Sequence, residues 1–330
     1  GSDALSGGSQ VVLLTTTAVA SCLAMLFCKV RWKVIEEAMC NNILGVSTAL
    51  IILLLIGALS GAWMISGVVP TLIYYGMQII HPNFFLASCC VICAVVSVMT
   101  GSSWTTIATI GIALMGIGEA QGFPTGWVAG AIISGAYFGD KISPLSDTTV
   151  LASSVTHTPL FDHIRYMMLT TVPSIAITLL IFIGMGFTHV ASDATQIAAF
   201  ATSLDETFHI SLWLLIVPLA TGILIAKKVP SLITLFISAG LAGCFALFFQ
   251  PNLLLEVAGE DAEASLFKGL FMTFYGSTQI ETGNAALNDL VATRGMAGMM
   301  NTIWLIICAM CFGGAMTASG MLESLTSVFL

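Results

Sequence analysis

Charge is what this sequence most lacks. Asp, Glu, Lys and Arg together make 8% of its 330 residues, and 57% are apolar. A water-soluble domain carries about a quarter charged residues, so that class is excluded. No formal charge at all occurs between Glu37 and Glu119, a stretch several times longer than the roughly 20 apolar residues one helix needs to cross a bilayer. Basic residues are also scarce: nine Lys plus Arg, scattered singly, make no patch for a nucleic acid. The short alternating strands of an outer-membrane barrel are missing, which leaves a helical membrane architecture. The chain begins at Gly1 with no basic, short-apolar, small-residue cleavage pattern, so no signal peptide is visible. Two C-x-x-C pairs, Cys90/Cys93 and Cys308/Cys311, have no His or acid beside them and read as small apolar packing residues.

What is present is a set of apolar runs at 11–28, 43–66, 163–187, 209–226, 229–249 and from 302 onward, each suited to a spanning helix. The region 83–158 differs, because "TGSSWTT" (100–106), "GEAQGFPTG" (118–126) and "GDKISPLSDTT" (139–149) interrupt it. Polar backbone at membrane depth is tolerated only where protein or a water-filled cavity satisfies it. The reading is therefore a re-entrant hairpin with arms at 84–100 and 104–118, an ordinary surface loop at 118–126, and a broken helix at 124–158. The basic "KVRWK" (29–33) and Lys227–Lys228 place those ends on the cytoplasmic side, and the acidic stretches 193–206 and 256–263 on the other.

"LLLIGALSGAWMISG" (53–67) lies over "LIICAMCFGGAMTASG" (305–320) when Gly67 is set on Gly320, matching Gly61/Gly314, Ala62/Ala315 and Ser66/Ser319. Small residues are common in membrane helices, so the match is weak. With an odd number of crossings between the copies, the second runs the opposite way, as in inverted-repeat transporters. The expected organisation is a first repeat at 1–187 carrying the hairpin and unwound helix, connecting helices at 188–250, and the start of a second inverted repeat at 251–330. The second copy of the hairpin region would fall beyond Leu330, so the native protein is expected to continue.

An aspartate at membrane depth costs about 2.5 to 3.5 kcal/mol on insertion scales and usually marks an ion or proton pathway. Asp140 and Asp147 are the leading candidates, with Lys141 placed to neutralise a carboxylate when no cation is bound. Ser143, Ser146, Thr148 and Thr149 surround them, and Pro144 interrupts the helix ladder and frees carbonyls. A small hard cation such as Na⁺ wants such oxygens. Gly101, Ser102, Ser103, Thr105 and Thr106 offer the same chemistry at the hairpin tip. The competing reading is a cytoplasmic loop with Lys141 as an exposed topology signal. Glu119 reads as solvated, Arg165 as a topology anchor, and His157 and His163 as structural or pH-sensing residues just after the site. Gln279, Glu281 and Asn284 belong to a polar loop before the last helix. An intramembrane aspartyl protease also uses two acids, but here they are seven apart with a proline between, and Tyr137 stands where a G-x-G-D motif needs glycine.

On "GSSWTTIATIGIALMGIG", "AGAIISGAYFGDKISPLSDTTVLA" and "HIRYMMLTTVPS", backed by "SGVVPTLIYYG" and the late "MLESL", the chain resembles the NhaC-type Na⁺/H⁺ antiporter family. The resemblance implies an all-α polytopic carrier of the bacterial cytoplasmic membrane, with inverted repeats, re-entrant hairpins and broken helices. It further implies a homodimer in the bilayer, further helices before and after this chain, no cofactor and no enzymatic activity. The cargo it implies is H⁺ exchanged for Na⁺ or Li⁺, or, as in some relatives, Na⁺ coupled to small carboxylates such as malate and lactate. The physical expectation is competition: Na⁺ and H⁺ exclude each other at Asp140 or Asp147, and alternating access makes the exchange vectorial.

Overall fold

The computed structural model describes residues 7–79, 81–100, 103–143, 146, 148–149, 152–153, 158–188, 194–227, 229–259, 265–283, 287–288 and 291–327. In chain order the helices are α1 (Gly8–Phe27), α2 (Trp32–Ile65), α3 (Val68–Ile79), α4 (Phe85–Thr100), α5 (Ser103–Thr106), α6 (Ile112–Ala120) and α7 (Thr125–Ile142). They continue as α8 (Leu160–Thr188), α9 (Ala194–Thr207), α10 (Ile216–Ala226), α11 (Ser231–Phe249), α12 (Pro251–Ala258), α13 (Leu266–Tyr275), α14 (Gly295–Ala318) and α15 (Met321–Thr326). Five of these, α1, α2, α8, α11 and α14, are long and apolar enough to cross a membrane.

The chain divides into two compact units. One comprises residues 1–54 and 296–330. Its α1 turns Val11, Val12, Leu14, Val19 and Phe27 outward and buries Gln10, Thr17, Ala20, Ser21 and Ala24. That is the reverse of a helix in water and fits apolar surroundings. The Gln10 amide donates to the Asn301 carbonyl at 3.3 Å and Asn42 to the Met310 carbonyl at 3.4 Å. A Cβ on Gly314 would stand 2.6 Å from the Met39 Cα, so α2 and α14 approach backbone to backbone.

The second unit, residues 55–295, holds the interrupted region. Its core includes Trp63, whose indole N–H donates to Ser238 at 3.0 Å. The Ser238 hydroxyl pairs with Thr221 at 2.7 Å, and Thr221 donates to the Val217 carbonyl at 2.8 Å. This buried chain satisfies every polar side-chain atom it brings together and ties α2, α10 and α11.

The hairpin is present. Its arms are α4 and the run α5–α6, with Ser103 starting the second arm one residue before the expected boundary. The stretches Pro82–Val98 and Ile107–Ala120 are apolar but too short to span. Phe85, at the start of the first arm, meets Phe123, just past the end of the second, at 5.2 Å between ring centroids, so the arms run antiparallel. Between α5 and α6 the second arm widens into a π-helical turn, Ile107–Gly111, a feature that often accompanies functional sites.

Three expectations are corrected. Asp205 and Glu206, which read from the sequence as an acidic loop, lie instead in helix α9 (Ala194–Thr207), which buries Phe200 and Leu204. The span placed at 209–226 is shorter, a 3₁₀ turn at Leu212–Leu215 leading into α10, and it meets the end of α9 at a bend of 87°. The span placed at 43–66 starts earlier, since α2 takes in Glu36 and Glu37 from Trp32 onward.

Candidate ion-binding site

Helix α7 packs along α4 through glycine. A Cβ on Gly135 would overlap the carbonyl oxygen of Cys90, and one on Gly139 would stand 2.6 Å from the Ser97 Cβ and 2.8 Å from the Val98 nitrogen. With buried Ala131 the two glycines form a small-residue face at intervals of four, which lets the backbones touch. Cys89, Cys90 and Cys93 are sealed on the α4 side of this contact. They are therefore expected to resist a membrane-permeant maleimide in the folded protein, checked by mass spectrometry with and without denaturant; rapid labelling of any of the three would show that the contact opens.

The contact delivers Asp140 to the hairpin tip. Asp140 sits half-buried in the last turn of α7, and the Ser103 hydroxyl donates to its Oδ2 at 3.0 Å. Helix α7 then stops, with Ser143 extended (φ −77°, ψ 127°). Carbonyls left open at that end find hydroxyls: Thr149 donates to the Lys141 carbonyl at 3.2 Å and reaches that of Asp140 at 3.4 Å. On the α4 side, Ser143 donates to the Val98 carbonyl at 2.8 Å, and Ser97 to that of Ala136 at 2.6 Å. Ser146 pairs with Thr148 at 2.9 Å.

The structure thus gathers Asp140, Ser103, Ser143, Ser146 and Thr149 around the break, all buried except the half-buried Asp140. Thr106 is buried on the same arm as Ser103. Thr148 and Lys141 are exposed, and among the described residues no ion pair joins Lys141 to Asp140. Asp147, Gly101, Ser102 and Pro144 lie outside the described residues, as does the side chain of Thr105. Ser97 was missed, since a lone serine in "VVSVMT" carries no signal of its partner.

Chemically this is a set of oxygens with one carboxylate. The C-terminal end of a helix carries partial negative charge, and Asp140 adds a full one, so the place favours a small cation. Among the described residues no three His, Cys, Asp or Glu side chains cluster as transition-metal ligands.

A second polar region lies elsewhere in the same unit. Asp205, Glu206, Glu256 and Glu281 line one cleft of about 870 Å³ together with His209 and Gln250. The Gln250 side chain accepts from the His209 N–H at 3.2 Å and donates to its carbonyl at 3.1 Å, closing the bend between α9 and the 3₁₀ turn. Glu281 belongs to the loop after α13, whose ends are joined by reciprocal backbone bonds of 2.8 and 3.1 Å between Thr278 and Thr293. Four carboxylates give the cleft a field that attracts cations and repels anions. Asn284 lies outside the described residues.

The elements among the described residues are helices, five of them long and apolar enough to cross a membrane, and the end of α7 meets the hairpin tip at a carboxylate. The chain belongs to the Na⁺/H⁺ antiporter family, whose model matches residues 135–330. It is 39% identical over 300 residues to the malate-2H⁺/Na⁺-lactate antiporter of Bacillus subtilis, covering 90% of this chain and 61% of the relative. It is 38% identical over 299 residues to the Na⁺/H⁺ antiporter NhaC of Alkalihalophilus pseudofirmus, covering 91% and 62%. To the arginine/ornithine antiporter ArcD of Halobacterium salinarum it is 31% identical over 319 residues, covering 96% and 63%. The chain thus spans about three-fifths of the length of these relatives. No solved structure gives a significant match.

Proposed function

We propose that the full-length protein exchanges Na⁺ or Li⁺ for H⁺ across the bacterial cytoplasmic membrane. The observation that carries this reading is the Ser103–Asp140 contact of 3.0 Å, where the hairpin tip meets the broken end of α7. One carboxylate surrounded by hydroxyl and carbonyl oxygens suits a proton and a desolvated Na⁺ alike, and it holds only one of them at a time. Alternating exposure of that carboxylate to the two sides turns mutual exclusion into exchange. Asp147, seven residues on in the same interrupted segment, is the second acid of this reading, and Ser143, Ser146 and Thr149 supply neutral oxygens. The NhaC relatives carry Na⁺/H⁺ exchange in their names, which supports the same reading.

A second reading, exchange of small carboxylates coupled to Na⁺ and H⁺, is favoured by the malate/lactate relative. The test uses the full-length chain in proteoliposomes with a lumenal pH dye, adding Na⁺, Li⁺ or K⁺ outside with no organic acid present. The expected result is lumenal alkalinisation with Na⁺ and Li⁺ and none with K⁺. Alkalinisation that appears only when malate or lactate is supplied would transfer the assignment to carboxylate exchange.

A further inference from the structure

We infer that Ser97 is a positioning residue for the carboxylate of Asp140, holding the turn that carries it at the spacing a small cation requires. The inference rests on the Na⁺/H⁺ reading above and adds to it a residue outside the oxygen set of that site. Ser97 lies in the last turn of α4, the first hairpin arm, and is buried. A hydroxyl taken out of water costs free energy unless it is bonded. A common partner within a helix is the carbonyl four residues back, which Thr17, Thr171 and Thr273 all use. Ser97 reaches across to the neighbouring helix and donates to the Ala136 carbonyl of α7 at 2.6 Å.

That carbonyl is the one Asp140 depends on. In an α-helix the carbonyl of residue 136 accepts the N–H of residue 140, so the Ser97 hydroxyl and the Asp140 amide meet on one oxygen. The next residue of α4 takes a second link in the opposite sense: Ser143, the residue after the end of α7, donates to the Val98 carbonyl at 2.8 Å. At the same level a Cβ on Gly139 would stand 2.6 Å from the Ser97 Cβ and 2.8 Å from the Val98 nitrogen, so no side chain separates the helices there. Asp140 follows Gly139 directly. Its backbone turn is thus pinned to one arm of the hairpin, while its carboxylate is met by the other arm through Ser103 at 3.0 Å.

Groups that hold a small ion must keep their geometry within about half an ångström, and the residues behind them supply that rigidity. Ser103 and Asp140 come from different elements, so their separation is set by whatever fixes α7 against the hairpin. The glycine contacts keep α4 and α7 together. The two serine bonds are directional, and they fix the height and rotation of the last turn. Without the Ser97 hydroxyl the helices stay packed, but the turn that carries Asp140 is free to shift. Partners that orient an ion's ligands without touching the ion typically cost roughly 10- to 100-fold in affinity or activity when they are removed.

The experiment measures Na⁺-driven proton movement against Na⁺ concentration in proteoliposomes of the full-length protein, with thermal melts in detergent beside it. Ser97→Ala and Ser97→Cys, the second close to serine in size but only a weak donor, are each expected to raise the half-saturating Na⁺ concentration by roughly tenfold. Their maximal rates are expected to stay within about twofold of the unaltered protein, and their melting temperatures to change little. Ser97→Thr, which keeps the hydroxyl, is expected to keep the unaltered half-saturation. An unchanged half-saturating concentration in the alanine and cysteine variants would overturn the role, and so would the same rise in Ser97→Thr. A maximal rate that falls together with the melting temperature, at constant half-saturation, would overturn it too, by showing a merely structural bond. Absence of Na⁺-driven proton movement in the unaltered protein would remove the Na⁺/H⁺ reading itself and this role with it, a result distinct from failure of the variants alone.

Discussion

Asp140→Asn is expected to lose Na⁺-driven proton movement by on the order of a hundredfold or more, the scale set by removing a positioned acid–base group. The amide keeps the shape of the side chain and an oxygen that still accepts from the Ser103 hydroxyl, so the hairpin tip and α7 stay joined. What disappears is the negative charge that holds a cation and the oxygen that takes a proton. Thermal stability and detergent-solubilised size should therefore match the unaltered protein while transport fails. Asp140→Glu, which keeps the charge but lengthens the reach, is expected to retain a measurable fraction of activity. Full transport by both Asp140→Asn and Asp147→Asn would move the site away from this segment.

Gly135→Ala is expected to be as damaging to transport, for a different reason. The added methyl group would overlap the Cys90 carbonyl oxygen and stand 2.9 Å from the carbon of that carbonyl, and backbone cannot rotate away as a side chain can. Forcing α4 and α7 apart costs about 3 kcal/mol or more and draws Asp140 away from Ser103. Gly130→Ala is the control. It lies in the same helix with nothing within 4 Å of the new Cβ, and alanine there is expected to be neutral or stabilising by up to about 1 kcal/mol. Thermal melts in detergent, read beside transport in liposomes, check both; equal melting temperatures for the two variants would mean that the α4–α7 contact is looser than described.

The interrupted region was legible because its signals are coarse and strong. Asp140, Lys141 and Asp147 in an apolar field, with Pro144 among them, announce a break whatever the neighbours are, and the hairpin arms followed within a few residues of their observed ends. The partners were not legible. A hydropathy pattern shows that Ser103 and Asp140 are polar, but not that a face of Ala131, Gly135 and Gly139 brings them together. In a membrane, lipid-facing and protein-facing sides of a helix are both apolar, so periodicity gives little help in assigning faces. The same limit hid α9: Asp205 and Glu206 marked 193–206 as acidic, whereas the contacts that make it a helix come from Phe200 and Leu204. Gathering Asp205, Glu206, Glu256 and Glu281 at one cleft also required knowing where the chain turns.

The amide clamp on His209 has a consequence in time. Its two halves are 41 residues apart, so the glutamine that completes the bend is synthesised only after α9, the 3₁₀ turn and α10. The His209 N–H and carbonyl must lean on water during that interval, because lipid offers them nothing. Only after α11 has been synthesised and has packed on α10 does Gln250 arrive to replace the water and set the angle. The bend at the acidic cleft is thus a late event in biogenesis, fastened from downstream.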